Sequence, residues 1–142
     1  MCQAFNLKKV FLLFFCRLFV LGLLASFFAA SGHGYADTKR LMIFGDSLVA
    51  GYGLSAEEGF TSQLQTRLAD EAMAIEVINA GVSGDTSAGG LARLNWSLSE
   101  KPDYILIVLG VNDLLRGINP ADTRQNLDHI LATVQALGVQ TF

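Results

Sequence analysis

Cysteine is almost missing from this chain. Of its 142 residues only Cys2 and Cys16 carry a thiol. Both lie in a leader-like N-terminal stretch, so residues 37–142 can form no internal disulfide and no cysteine-based metal site. A domain built from them is held by its core alone. Histidine is equally scarce, with His33 in the same stretch and His129 isolated far along the chain. Proline occurs only at Pro102 and Pro120, and both read as boundaries between elements. Positive charge is thin as well. Three of the ten basic residues, Lys8, Lys9 and Arg17, belong to the leader, whereas all 13 acidic residues lie beyond it. The remaining seven basic groups face 13 acidic ones, a net of −6, which speaks against nucleic acid or anionic lipid surfaces as partners.

What is present first is apolar. Lys8 and Lys9 precede a hydrophobic run over 10–30, and Gly34-Tyr35-Ala36 offers small residues beyond it. This layout predicts a secretory signal peptide over 1–36, and with it export to the periplasm or the medium. The run is about 20 residues long and could span a bilayer as an uncleaved anchor, but Arg17 in its middle argues against that. Phe14 and Phe15 stand where a lipid-attachment site at Cys16 would need small residues. Seven of the ten phenylalanines also fall in the leader, so the overall hydropathy overstates the apolar content of residues 37–142. Those residues suffice for one small domain and not for two.

Within them, apolar runs alternate with helical patterns, the signature of a parallel α/β sheet. The organising stretch is 39–48, KRLMIFGDSL. Leu41 to Phe44 reads as a strand buried on both faces, Gly45 allows a sharp turn, and Ser47 then sits at the carboxyl-end rim, where open α/β sheets bind ligands. Ser55-x-x-Glu58 resembles a capping box for a first helix running to about Ala72, with Phe60, Leu64 and Leu68 inward. A second strand spans 75–78 and ends at Asn79. After the polar loop 81–90, Asp85 or Thr86 caps a helix with Leu91, Leu94 and Leu98 inward. The run 104–109, YILIVL, is the strongest strand and should be central. A further loop at 110–113 leads to the clearest helix, with Asn119 as cap, Pro120 at its first position and Gly138 past its end. Leu127, Ile130, Leu131, Val134 and Leu137 form its apolar stripe, and 139–142 look like the start of a fourth strand. Right-handed crossovers would bring the loops after all three strands to one edge.

Each of the three loops is bland alone, because a serine after a strand more often caps a helix than attacks a carbonyl. Together, Gly45-Asp46-Ser47-Leu48, Ser83-Gly84-Asp85-Thr86-Ser87 and Gly110-x-Asn112-Asp113, each after a strand and in this order, resemble the SGNH, or GDSL-type, hydrolase family. The likeness is greatest to its bacterial exported esterase, acyl-CoA thioesterase I and lysophospholipase subgroup. It extends through Ala50-Gly51-Tyr52, Asn79-Ala80, Gly90-Leu91-Ala92-Arg93-Leu94 and Leu115-Arg116-Gly117. The resemblance implies a flavodoxin-like three-layer α/β/α fold with a parallel sheet, here truncated after about three strands. It also implies acyl transfer to water, with Ser47 as nucleophile. The oxyanion hole is then made by the backbone N–H groups of Ser47 and Gly84 and the side-chain amide of Asn112. Such donors are typically worth roughly 3 to 4 kcal/mol of barrier each. Asp46 and Asp113 read as orienting groups. The implied substrates are small esters or thioesters: an acyl-CoA, a lysophospholipid or an aryl ester. Implied too are no cofactor, no metal, no stable membrane anchor after leader cleavage, and a monomer at full length.

One departure stands out. The family draws its general base from an Asp-x-x-His motif near its C-terminus, and no such motif occurs here. His129 reads as a solvated residue on the polar side of the last helix, roughly 12 Å below the rim at 1.5 Å per residue. The chain thus reads as the N-terminal portion of a hydrolase domain, lacking on the order of 60 residues, with no more than trace esterase activity expected. The alternatives are a catalytically dead remnant or acyl-binding module, and a nucleotide-binding module suggested by Gly51-x-Gly53-x-x-Ala56. The latter begins seven residues past its strand, and Asn79 stands where an acidic ribose ligand belongs.

Overall fold

The computed structural model describes residues 38–142; the expected leader lies outside them. Four parallel strands form one sheet: β1 (Lys39–Gly45), β2 (Ile75–Gly81), β3 (Tyr104–Val108) and β4 (Gln140–Thr141), in the spatial order β2-β1-β3-β4. The helices are α1 (Ser47–Ala50), α2 (Phe60–Asp70), α3 (Ser87–Leu98), α4 (Val111–Leu115) and α5 (Pro120–Ala136). Among these described residues no helix is long and apolar enough to cross a membrane.

The unbroken apolar run of β1 matches its place at the centre. Met42, Ile43 and Phe44 are all fully buried, as a strand covered on both faces requires. Side chains alternate across the sheet. Met42, Phe44 and Ile105 share one face with Leu94 and Leu98 of α3 and with Ile130 and Val134 of α5. Helix α2 lies along β2, bound to it by the side chains of Thr61 and Gln65. The strand limits differ little from those expected: β2 continues past Asn79 to Gly81, β3 ends at Val108, and β4 holds only two residues. β1 and β3 are the inner pair, and β4 extends the sheet to four strands.

Register sets the site's floor. Gly45 pairs with Gly81 on one side and Val108 on the other, so β1, β2 and β3 end in one level row. Between β1 and β3 the chain leaves in opposite directions, β1 crossing to β2 and β3 crossing to β4, and such a switch point forms a crevice beyond the strand ends.

Three expectations need correction. The first long helix starts at Phe60, because Gly59 precedes it in an extended conformation. Ser55 and Glu58 instead close a separate turn, with Ser55 N–H donating to Glu58 Oε2 at 3.2 Å. Phe60 is exposed, while Leu64 and Leu68 are only half-buried. The helix is anchored by polar groups: Gln65 donates to Ile75 O at 3.0 Å and accepts from Val77 N at 2.7 Å, and Thr61 accepts from Asn79 Nδ2 at 3.0 Å. Leu137 is exposed, since the last helix stops at Ala136. Finally, the loops after β1 and β3 contain short helices that no apolar periodicity announces.

The caps of α3 and α5 match the sequence. Thr86 Oγ1 accepts from Gly89 N, and Asn119 Oδ1 accepts from Ala121 N at 3.0 Å. Asn119→Ala is expected to lower stability by about 1 kcal/mol. Urea denaturation at unchanged m-value would measure it, and no shift in midpoint would mean that water replaces the cap.

Candidate active site

The first loop leaves β1 through Gly45 and Asp46. Asp46 is buried and caps α1, its Oδ1 accepting from Leu48 N at 3.0 Å. Ser47 comes next as the first residue of α1 and is half-buried. Its carbonyl accepts from Gly51 N and Tyr52 N, both at 3.1 Å. Among the described residues its hydroxyl has no hydrogen-bond partner.

The second loop leaves β2 and turns back at once. Val82 N–H donates to Gly45 O at 2.9 Å, and Asp85 N–H donates to Val82 O at 3.1 Å, closing a four-residue turn. Gly84 is its third residue, with φ +80°. A type II turn needs positive φ there, which a side chain resists, so glycine is required by the backbone itself. The Gly84 N–H has no acceptor among the described residues. Its carbonyl accepts from Arg116 Nη2 at 2.6 Å, a link from the third loop.

The third loop leaves β3 through Gly110 into α4. Asn112 Nδ2 donates to Asp46 Oδ2 at 3.2 Å and to Asp85 O at 2.9 Å. One side-chain amide thereby joins all three loops, through the neighbour of Ser47 and the neighbour of Gly84. Both its hydrogens are engaged.

Beneath this lies a second polar cluster. Asp113 is buried; its Oδ2 accepts from Ser87 N at 2.8 Å and its Oδ1 from Ser87 Oγ at 2.5 Å and Thr123 Oγ1 at 3.1 Å. Asn126 Nδ2 donates to Ser87 Oγ at 3.0 Å. Burial alone would raise the Asp113 pKa, but the hydrogen bonds from Ser87 and Thr123 outweigh it and hold the carboxyl below the usual aspartate range. The cluster ties α3, α4 and α5 together beside Asn112.

His129 is exposed on α5, six residues past Thr123 and so about 9 Å further down that helix. The Gly51-x-Gly53 pattern falls in a run of turns beyond α1, not in a strand-to-helix connection. No three His, Cys, Asp or Glu side chains among the described residues converge as a metal site. Asp85 is legible in the sequence only as an alternative to Thr86 as helix cap, a task that falls to Thr86, and Ser87 and Arg93 only as parts of a motif. The available signal is the pair Gly89-Gly90 in the first turn of a helix, since glycine is unfavourable there unless something packs close.

A model of the GDSL-like lipase/acylhydrolase family matches residues 43–142. Esterase TesA of Pseudomonas aeruginosa is 47% identical over 106 residues, 74% of this chain and 53% of that protein. Thioesterase 1/protease 1/lysophospholipase L1 of Escherichia coli K12 is 43% identical over 74% of this chain and 49% of its own length. The crystal structure of AlinE4, an SGNH-hydrolase family esterase, superposes with a TM-score of 0.71 at 44% identity, covering 74% of this chain and 57% of that one. This chain spans about half the length of the curated relatives it matches. Loop order, strand register and these likenesses agree: the chain belongs to the GDSL-like lipase/acylhydrolase family.

Proposed function

We propose that the chain carries the nucleophile and oxyanion half of a serine ester or thioester hydrolase. In this reading Ser47 Oγ attacks the substrate carbonyl, and its proton passes to a base. The tetrahedral oxyanion is held by the N–H groups of Ser47 and Gly84 and by the amide of Asn112. The carbonyl then re-forms as the alcohol or thiol leaves, and water releases the acyl group from Ser47. Asp46 orients the site through its bonds to Leu48 N and Asn112 Nδ2. The base lies outside residues 38–142, because His129 faces solvent well below the rim.

The observation that carries this reading is the Asn112 amide bridging Asp46 and Asp85, which ties the neighbour of Ser47 to the neighbour of Gly84. The Asp46 contact is the longer of the two, so it is the one an oxyanion would share or displace. Substrates are esters or thioesters with a small-molecule leaving group, as the names of the esterase and thioesterase relatives suggest. The leader-like N-terminus favours an exported protein, and the full-length form is taken as a monomer.

A fluorophosphonate probe tests it. Labelling should be slow without the base, should place one adduct on the peptide containing Ser47, and should vanish in Ser47→Ala. Equal labelling of Ser47→Ala overturns the proposal; no adduct at all favours the acyl-binding reading instead.

A further inference from the structure

We infer that Arg93 is a positioning residue for the Asn112 amide and acts through Asp85; the consequence for rate rests on the hydrolase reading above. Arg93 lies on α3, two helical turns beyond Asp85, and its side chain is only 17% exposed. Nε donates to Asp85 Oδ2 at 2.7 Å, Nη2 to Gly45 O at 3.0 Å and Nη1 to Ser97 Oγ at 3.3 Å. The guanidinium also stands 4.1 Å from the centre of the Phe44 ring. A planar fork with several donors suits this set of partners; an ammonium could not meet them together.

The partners matter by where they sit. Gly45 O is the last carbonyl of β1 and also receives Val82 N–H. Asp85 closes the turn that holds Gly84, and its own carbonyl receives Asn112. One guanidinium thus fixes the exit of the first loop and the end of the second, and Asp85 hands that placement to the third. A second feature serves the same carboxylate independently. A methyl group at Gly89 would run into Asp85 Oδ1, so the helix carries an unfavourable residue at the one place where Asp85 needs room.

The test is solvent exchange of the Asn112 Nδ2 hydrogens in the 15N-labelled chain. Arg93→Gln removes the guanidinium, and Gly89→Ala displaces Asp85 while keeping every charge. Both should speed this exchange by about tenfold, roughly the loss of one hydrogen bond. The Ser87 N–H, held by Asp113, should keep its protection, and Arg93→Lys should fall between. Unchanged Asn112 exchange in the folded variants overturns the inference. If Arg93→Gln unfolds, Ser87 protection is lost as well and Gly89→Ala decides. Labelling of Ser47 should slow in the variants whose exchange quickens. If the unaltered chain takes no label, the hydrolase proposal fails while the exchange data still judge Arg93.

Discussion

Replacing Asp113 by alanine is expected to lower stability by on the order of 3 kcal/mol, a large part of the roughly 5 to 15 kcal/mol that holds a domain of this kind folded. The substitution leaves Ser87 N–H, Ser87 Oγ and Thr123 Oγ1 without their acceptor inside the protein. Water cannot easily reach a site whose central residues are 0–1% exposed. Asp113→Asn should lose less, since one oxygen still accepts. The same carboxyl predicts an acid response. Its pKa is lowered on folding, so the unfolded chain binds the proton more readily, near pH 3.9. Its contribution is therefore complete above that value and disappears as the pH falls toward the folded value. Denaturation midpoints measured from about pH 6 to about pH 2.5, a window spanning that titration, should drop for the unaltered chain and drop less steeply in Asp113→Asn. The remaining slope comes from carboxyls such as Asp103 that are also lowered. Equal slopes would exclude Asp113 as the source of the acid response.

Gly45→Ala should have an effect of similar size by a different route. A methyl group there would lie 2.5 Å from Val49 Cγ2 and 2.6 Å from Val108 O. The first contact can yield by side-chain rotation. The second is backbone of a neighbouring strand and cannot yield without opening the sheet, so a loss of about 2 to 3 kcal/mol is expected. Ser47 labelling should fall with it, because the strain enters at the residue before Asp46. Gly59→Ala is the control: its φ is −61° and the nearest atom to an added methyl is 3.5 Å away. That change should be neutral or slightly stabilising, by about 0.4 to 1 kcal/mol. If both variants behave alike in thermal or urea denaturation, crowding at the strand end is not what selects glycine.

Much of this is readable from the letters because burial and alternation leave a direct mark. The continuous apolar run at 41–44 announces a strand covered on both sides, and Asn119-Pro120 with Gly138 frame the last helix nearly to the residue. The motif order also places Ser47, Gly84 and Asn112 on three loops beyond three strands. The features without such a mark are polar and cooperative. The helix over 60–70 is fastened by Thr61 and Gln65, whose hydrogen bonds to β2 carry no periodic signature. Its start is easily misplaced because Ser55 and Glu58 form the same local contacts in a turn as in a cap. Leu137 carries the right spacing for the stripe, yet the helix stops one residue short of it. Asp85, Arg93 and Gly89 form a unit only in three dimensions, and none of the three has meaning without the other two.

The level row of strand ends at Gly45, Gly81 and Val108 has a thermal corollary. Alignment inherited from main-chain pairing does not soften gradually as side chains gain mobility on heating. The approach of the three loops should thus persist almost undiminished until the ladder itself comes apart. Loss of probe reactivity and loss of sheet signal should then coincide on a single melting curve.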